Sequence, residues 1–290
     1  MIKRIEDQVI IRYGEIGIKG QNRGWFESRL VQNIRDFASR NEIDCWIRRT
    51  RGRILLSMHE GVEMPDISGL KRVFGISSFS KAVACRADIS DISRETERFY
   101  GKIKGKSFRV TAKRLDKGFK PDSIELERVI GQQIVEATGA KVDLKRHDTE
   151  IGIEITKENA FIFDNTTRGY GGLPLGSEGE CLVLMEDMQS CVAAWLMMKR
   201  GAEIEVVTMD GKHENAKFIS HLEKFDYGSK IGRHCTEDIK GLMEETGHEA
   251  LVRGDTRVPK VQDEVFTLRP LLGWSEDEIF RAYHEIEGAR

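Results

Sequence analysis

The sequence predicts a protein of several α/β and α+β domains, the last of them a doubly wound parallel sheet. Three observations predict this fold class. The chain has 290 residues, whereas a domain usually takes about 100 to 150. After residue 180, short apolar runs alternate with helical patterns, as in a parallel sheet with helices on both faces. A glycine-rich stretch, 169–179, has the composition of a linker and separates that region from the rest.

The domains are expected at 1–77, 78–168 and 180–290. In the first, residue patterns predict strands at 8–12, 45–47 and 53–57 and helices at 22–39 and 65–73. In the second, they predict strands at 81–85, 108–113, 151–155 and 160–164 and helices at 89–100 and 123–138. In the third, they predict strands at 182–184, 204–208 and 250–253 and helices at 189–200, 214–224, 235–246 and 275–286.

Composition favours a cytoplasmic protein. The chain has no run of about 18 apolar residues that could span a membrane, and its first residues do not resemble a signal peptide. The cysteines are scattered and form no Cys-x-x-Cys pair, so a structural zinc is not expected. They are Cys45, Cys85, Cys181, Cys191 and Cys235.

The net charge of -2 hides an uneven distribution. Residues 1–175 hold 32 Lys and Arg against 25 Asp and Glu, a balance of +7. Residues 176–290 hold 14 against 23, a balance of -9. A basic front region indicates binding to RNA, because phosphate contacts are chiefly electrostatic.

A buried strand, a tight loop and a helix are predicted in succession at 180–201. The amides at the start of such a helix ordinarily bind an anion, and glycines let a phosphate approach the backbone. Here the loop carries Glu186 and Asp187 instead. Two carboxylates repel a polyphosphate and fill the space it needs. The sequence therefore predicts the scaffold of a nucleotide site whose phosphate position is blocked.

Motifs along most of the chain resemble those of the tRNA 4-thiouridine synthetase (tRNA sulfurtransferase) family. They are Arg12-Tyr-Gly-Glu-Ile-Gly-Ile-Lys-Gly20, Phe108-Arg-Val-Thr-Ala-Lys-Arg114, Lys141-Val-Asp-Leu144, Gly171-Gly-Leu-Pro-Leu-Gly176 and Leu196-Met-Met-Lys-Arg-Gly201. The resemblance implies a ferredoxin-like N-terminal domain, a THUMP domain that binds RNA, especially the acceptor end of tRNA, and a pyrophosphatase-like α/β domain.

In that family a loop reading Ser-Gly-Gly-Ile-Asp-Ser binds ATP and adenylates a tRNA uridine. It falls here on Met185, Glu186, Asp187, Met188, Gln189 and Ser190, so that only Ser190 is kept. A second nucleotide-binding segment falls on 253–264 and keeps Gly254 and Asp255. The resemblance also places the family's persulfide-forming cysteine beyond residue 290. Cys191 and Cys235 are the remaining, weaker candidates for a reactive thiol, and burial explains Cys235 more simply.

Basic residues of the first two domains are the predicted RNA contacts, because arginine and lysine bind phosphates and an exposed aromatic ring can stack on a base. A solvated surface is the alternative for each cluster. The candidates are Arg12, Lys19, Arg23, Arg48, Arg49, Arg51, Arg53, Lys102, Lys104, Lys106, Lys113, Arg114, Lys117, Phe119 and Lys120.

Three functional hypotheses follow. The first is a tRNA-binding relative of the synthetase that has lost ATP chemistry and needs no cofactor. The second is a divergent, active ATP-dependent tRNA sulfurtransferase, which would use ATP and Mg²⁺ and receive sulfur from a partner protein. The third is a regulatory protein that binds structured RNA without modifying it. A homodimer is compatible with each, and none needs a membrane.

Overall fold

The computed structural model describes residues 8–50, 52–209, 215–260 and 263–289. The strands are β1 (Gln8–Tyr13), β2 (Cys45–Thr50), β3 (Arg53–Met58), β4 (Ile76–Arg86), β5 (Ser107–Arg114), β6 (Lys141–Val142), β7 (Thr149–Ile155), β8 (Asn159–Phe163), β9 (Thr167–Arg168), β10 (Glu180–Leu184), β11 (Glu203–Thr208), β12 (Gly232–Cys235), β13 (Leu251–Val252) and β14 (Thr267–Leu268). The helices are α1 (Arg23–Arg40), α2 (Ile89–Thr96), α3 (Tyr100–Ile103), α4 (Ser123–Thr138), α5 (Met188–Lys199), α6 (Ala216–Leu222), α7 (Ile239–Thr246) and α8 (Glu276–Glu287).

The chain forms two compact units. Unit 1 holds 8–12, Ile43–Ile67 and Ser78–Arg168, whereas unit 2 holds Tyr13–Glu42, Ser68–Ser77 and 169–289. Helix α1 therefore belongs to the same unit as the C-terminal sheet. The domain boundaries predicted at 77 and 168 follow chain order, whereas the compact units do not.

One mixed sheet runs through unit 1. Among the described residues it has nine strands, in the order β2-β3-β1-β4-β8-β7-β5-β6, with β9 beside β4. Alternate side chains on β5 and β7 pack with α4 in one core, formed in part by Phe108, Val110, Ile151, Ile153, Leu126 and Ile130. The strand predicted at 108–113 is thus confirmed, and its alternating side chains give the sheet one buried face.

The sheet of unit 2 is parallel throughout and has the order β12-β11-β10-β13-β14. Strand β10 lies at its centre, with β11 on one side and β13 on the other. The chain therefore winds outward from β10 in both directions, which confirms the predicted doubly wound sheet. The apolar runs of β10 and β11 predicted this sheet because strands covered on both faces are apolar along their whole length.

Helix α5 is buried on nearly every side. Its 12 residues include the fully buried Val192, Ala193 and Ala194, and Trp195 is 4% exposed. Such a helix is the centre of a protein core and not a membrane span, which needs about 20 apolar residues. In the parts of the chain that the structure describes, no helix is both long and apolar enough to cross a membrane.

Several predicted elements differ from the observed ones. The helix predicted at 235–246 begins only at Ile239, after the side chain of Asp238 caps it, and the preceding residues form β12. The helix predicted at 65–73 is a 3-10 turn, Ser68–Arg72. The helix predicted at 89–100 is interrupted after α2 by a 3-10 turn, Glu97–Phe99. Helix α4 begins and ends as predicted, because Asp122 caps its start and Gly139 (φ 68°) ends it.

The glycine-rich stretch, 169–179, is packed into unit 2, although its composition predicted a linker. Leu173 and Leu175 are buried. The carbonyl oxygen of Leu175 accepts hydrogen bonds from Arg29 Nε at 2.7 Å and Asn33 Nδ2 at 3.1 Å, both on α1. A Cβ on Gly172 would lie 2.1 Å from the carbonyl oxygen of Lys199. The glycines here allow the backbone to approach its neighbours closely and do not form a hinge.

A buried carboxylate, Glu154 on β7, joins distant strands of the unit 1 sheet. It accepts hydrogen bonds from Arg12 Nε and Arg53 Nε, each at 2.6 Å. Burial alone raises the pKa of Glu154, but the hydrogen bond from Arg53 and the two guanidinium charges outweigh it, so the pKa lies below the ordinary value of a glutamate. The ionised form therefore stabilises the folded state above the ordinary glutamate pKa. That contribution is lost as pH falls through the lowered pKa.

We expect Glu154→Gln to lower the free energy of unfolding by about 3 to 5 kcal/mol at neutral pH, because it leaves two buried arginines without their counter-charge. Urea unfolding followed by circular dichroism measures the change. Glu150→Gln is the matched control, since Glu150 lies on the same strand, pairs with Arg109 and has a side chain 42% exposed. Glu150→Gln should lower the free energy of unfolding by less than about 1 kcal/mol. Equal urea midpoints for the two variants would contradict the assignment.

Candidate functional site

The loop between β10 and α5 lies where a doubly wound sheet binds its ligand. Such sheets bind ligands beyond the carboxyl ends of the strands, at the point where the strand order reverses. That point is β10. In the loop, Met185 is buried, Glu186 and Asp187 are exposed, and Met188 and Gln189 are half-buried in the first turn of α5. The fold therefore places the predicted nucleotide-site remnant at its ligand-binding edge.

The amides at the start of α5 are already hydrogen-bonded within the loop. Those of Glu186 and Asp187 both donate to Ser190 Oγ at 2.9 Å. The amide of Ser190 donates to Asp187 Oδ1 at 2.9 Å, which completes a capping box. A phosphate bound at a helix N-terminus needs amides that point at it without partners. A phosphate here would have to displace these internal hydrogen bonds.

The second predicted segment lies against the same loop. A Cβ on Gly254 would come within 2.5 Å of the amide nitrogen of Ser190, so only glycine fits beside α5. Next to it, Arg253 contacts Glu186 Oε2 at 3.3 Å. Asp255 accepts a hydrogen bond from Arg269 Nε at 2.9 Å. Of the two carboxylates predicted to face the phosphate position, Glu186 is therefore paired with an arginine, whereas Asp187 caps α5.

Three further residues shape this edge and were missed by the sequence analysis. Asn215, 8% exposed, donates from Nδ2 to the carbonyl oxygen of Met185 at 2.9 Å and so closes the end of β10. Arg253 and Arg269 supply the positive charge described above. Arg253 directly precedes Gly254 in the sequence, and this position could have predicted that Arg253 lies at the site. Nothing local in the sequence indicates Asn215, because its partner, Met185, is distant along the chain.

Of the two weak thiol candidates, Cys191 lacks the environment of a nucleophile. Cys191 is fully buried, and burial raises the pKa of its thiol to about 12, with the charge of Asp187 acting in the same direction. The stabilisation expected at a helix N-terminus is therefore overcome by desolvation. Cys235 is exposed at the end of β12, so the burial expected for it is wrong. Among the described residues, no group of three His, Cys, Asp or Glu side chains is placed to hold a metal ion.

Eight of the predicted RNA contacts lie on the surface of unit 1. They are Arg48, Arg49, Lys102, Lys104, Lys106, Lys113, Lys117 and Lys120. Lys102 lies in α3 and pairs with Asp164 at 2.5 Å, whereas Lys104 and Lys106 follow that helix and precede β5. Arg51 lies outside the described residues. The β2–β3 hairpin that carries Arg48 and Arg49 forms as predicted, with Gly52 at φ 77°.

The other predicted contacts in unit 1 have structural partners. Arg12 and Arg53 are largely buried and bind Glu154. Arg114 donates to the carbonyl oxygen of Phe119 at 2.8 Å and so holds the loop that follows β5. Phe119 packs against the core beneath α4, whereas an exposed ring was expected. These placements favour a role in folding over contact with RNA.

Two predicted contacts belong to unit 2, in the turn between β1 and α1. Lys19 pairs with Glu178 at 2.7 Å, and Arg23 pairs with Glu27 at 2.8 Å. Arg23 also donates to the hydroxyl of Tyr13 at 2.9 Å. The turn expected between strand and helix is confirmed as two 3-10 turns, Glu15–Ile18 and Gly20–Asn22.

The exposed cations of unit 1 form separate patches. Lys104 and Lys106 precede β5, and Lys113 lies near its end. Because β5 has 8 residues, its two ends are about 23 Å apart at the usual rise of a strand. Arg48 and Arg49 lie on β2, six steps from β5 in the sheet order, or about 29 Å at the usual strand spacing. The structure therefore distributes the predicted RNA contacts over an extended surface and does not gather them into one pocket.

Two family descriptions match the front of the chain. The ThiI ferredoxin-like domain matches residues 8–80, and the THUMP domain matches residues 86–164. Both fold types had been expected from the motifs. The description of a ferredoxin-like domain extends into both compact units, since α1 belongs to unit 2.

Curated relatives match most of this chain. A "Probable tRNA sulfurtransferase" of Caldanaerobacter subterraneus subsp. tengcongensis is 38% identical over 205 residues, which cover 70% of this chain and 53% of the relative. One of Thermococcus kodakarensis is 36% identical over 235 residues, which cover 77% of this chain and 61% of the relative. The chain thus spans about half to three-fifths of the length of these relatives.

Two solved structures resemble the whole chain. The crystal structure of PH1313 from Pyrococcus horikoshii Ot3 is 32% identical, with a TM-score of 0.83, and the match covers 98% of this chain and 100% of that one. A 4-thiouridine synthetase, solved as an RNA complex with bound ATP, is 26% identical, with a TM-score of 0.77, over 97% of this chain and 84% of that one.

We expect Gly254→Ala to lower the free energy of unfolding by about 1 to 3 kcal/mol, because the added methyl group would overlap the first turn of α5. Thermal or urea unfolding measures the loss. Gly24→Ala is the control, since a Cβ on Gly24 meets nothing within 4 Å and alanine favours the helix in which it lies. If Gly254→Ala were as stable as Gly24→Ala, the loop could not lie as close to Gly254 as described.

Proposed function

Because the chain belongs to the tRNA sulfurtransferase (4-thiouridine synthetase) family, we propose that it binds tRNA and that its nucleotide loop no longer supports ATP-dependent adenylation. The tRNA is bound mainly through the exposed cations of unit 1. Unit 2 keeps the fold of a nucleotide-binding domain as a scaffold. A cytoplasmic location fits this function, because tRNA is modified there.

Charge and family membership support tRNA binding. Residues 1–175 carry a balance of +7, and the THUMP match covers the region with most of the predicted contacts. The related synthetase was solved with RNA. Lys113, Lys117 and Lys120 are exposed near the end of β5 and in the loop after it, where they can reach a phosphate backbone. A binding surface of this kind is long and electrostatic, which suits a folded RNA.

The occupied amides at the start of α5 carry the proposal that ATP chemistry is lost. The amide of Ser190, in the first turn of α5, binds Asp187, and the amides of Glu186 and Asp187, in the loop before it, bind Ser190 Oγ. In addition, a carboxylate about 4 Å from a phosphate charge repels it. Each such contact weakens the binding free energy by on the order of 1 to 4 kcal/mol, at dielectric constants between those of a protein surface and of water. The residues of this loop therefore do not fit a nucleoside triphosphate, and we derive no reaction step through one.

We expect the affinity for folded tRNA to fall steeply with salt and the triple variant Lys113→Ala, Lys117→Ala, Lys120→Ala to flatten that dependence. Each phosphate contact contributes about -0.9 to the slope of log affinity against log salt on a duplex. Fluorescence anisotropy with labelled tRNA at several salt concentrations gives the slope. The control is Lys217→Ala, Lys230→Ala, Lys240→Ala, which removes the same charge from exposed positions of unit 2. An equal slope for both triple variants would show that the proposed surface is wrong.

We expect the unmodified protein to show no saturable ATP binding at millimolar nucleotide in isothermal titration calorimetry. The variant Glu186→Gly, Asp187→Gly removes two charges and frees the amide of Ser190, so weak ATP binding should emerge. The variant Glu186→Gln, Asp187→Asn removes the same charges, but asparagine still caps the helix and keeps that amide occupied.

The two variants separate the two obstacles. Binding by the glycine variant alone identifies amide occupancy as the main obstacle, whereas equal binding by both variants identifies charge. Saturable ATP binding by the unmodified protein, or sulfur transfer to tRNA by it with any sulfur donor, would contradict the proposed loss of ATP chemistry.

A further inference from the structure

Unit 2 contains a cavity that the proposed function does not use. Its volume is about 430 Å³, and it is lined by Lys19, Asn22, Trp25, Phe26, Ser177 and Glu178. The first four come from the turn before α1 and from the first turn of that helix, and the last two from the glycine-rich stretch. Both segments stood out in the sequence, the first for its glycines and the second for its apparent linker composition.

The glycine-rich wall of the cavity is held in one conformation. Ser177 and Glu178 lie between Gly176 (φ 79°) and Gly179 (φ 83°), where other residues would be strained. The amides of Ser177 and Glu178 donate to the carbonyl oxygen of Gly201 at 2.9 Å and 3.2 Å. The wall therefore needs little ordering when a ligand binds, which favours affinity.

An aromatic side chain forms the opposite wall. Trp25 is 54% exposed, whereas the neighbouring Phe26 is 6% exposed. The two rings meet edge to face, with centroids 5.0 Å apart and an interplanar angle of 90°, and more than half of the Trp25 side chain stays exposed. A planar ligand can therefore stack on Trp25 without displacing any protein group.

The polar groups of the cavity suit a neutral ligand with both donors and acceptors. The charges of Lys19 and Glu178 offset one another at 2.7 Å, so the site does not favour a phosphate. The carboxylate of Glu178 accepts hydrogen bonds, and the side-chain amide of Asn22 both donates and accepts them. A planar, neutral ring with donors and acceptors along one edge is the chemistry of a nucleobase.

We propose that this cavity binds one unpaired nucleobase, stacked on Trp25 and hydrogen-bonded along its edge by Asn22 and Glu178. The volume lies toward the lower end of the range for small-molecule sites, about 300 to 1,000 Å³, which suits a base or nucleoside and excludes a duplex. The inference rests on the proposed function in so far as the base belongs to a bound RNA. The base could also come from a free nucleoside, which offers the same ring and the same hydrogen-bonding groups.

The test uses the full chain with two probes, a single-stranded RNA tetranucleotide and the free nucleosides uridine and adenosine. Trp25→Ala should weaken tetranucleotide binding about 5- to 100-fold, the effect of losing one base–aromatic stack. Trp25→Phe should retain most of the affinity. Trp46→Ala is the matched control, because Trp46 is 66% exposed and belongs to unit 1. Calorimetry measures each affinity, and thermal unfolding checks that each variant is folded.

Asn22→Ala keeps the inference testable if Trp25→Ala does not fold, since Asn22 is exposed and has little packing to lose. It should also weaken tetranucleotide binding. If uridine or adenosine binds and the binding depends on Trp25, the cavity also accepts a free nucleoside. If only the tetranucleotide binds, the cavity is a site for RNA. Equal affinities of the unmodified protein, Trp25→Ala and Asn22→Ala for every probe would overturn the inference, as would binding of neither probe by the unmodified protein.

The outcome is separable from that of the proposed function. If the pocket inference alone fails, Trp25→Ala changes nothing, while the lysine triple variant of unit 1 still flattens the salt dependence of tRNA binding. If the proposed function alone fails, folded tRNA is not bound, while nucleoside binding still falls in Trp25→Ala.

Discussion

The sheet of unit 1 depends on the ion pairs that converge on the buried carboxylate of Glu154. Its partners, Arg12 and Arg53, lie 142 and 101 residues away along the chain. Arg12 reaches across the strands between β1 and β7, donating to Ser80 Oγ at 3.0 Å and lying 4.7 Å from the ring centre of Phe163. A buried charge is tolerated only when it is paired and hydrogen-bonded, so the strands must keep this arrangement. The ferredoxin-like and THUMP regions thereby share one sheet.

The same requirement for polar partners governs the start of α5. The first amides of a helix have no partner within it and must find one elsewhere. In this loop Asp187 Oδ1 supplies the partner for the amide of Ser190, and Ser190 Oγ accepts hydrogen bonds from the two loop amides before the helix. The loop can therefore be stable without a ligand. These internal hydrogen bonds support the proposal that the fold of a nucleotide-binding domain can persist here without a nucleotide.

Local patterns explain most of what the sequence predicted. Helix α4 has a capping aspartate at one end and a left-handed glycine at the other, and both signals lie within the helix's own neighbourhood. Strand β12 was missed because its four residues form a strand only by pairing with β11. Arg12 and Arg53 were predicted as surface residues because their carboxylate partner is distant in sequence. The capping box of Asp187 and Ser190, by contrast, is a spacing of three residues and could have been predicted.

The proposed loss of ATP chemistry would leave the proposed RNA surface intact, because the two depend on different residues in different units. The proposed tRNA contacts lie in unit 1, whereas the substituted loop lies in unit 2. Capping a helix with aspartate stabilises it by about 1 kcal/mol, so Asp187 strengthens the scaffold of unit 2. Active sites commonly lower stability, and a site released from catalysis can gain stability by adopting ordinary capping residues. The capping role of Asp187 therefore agrees with the proposal that this loop serves the fold and not adenylation.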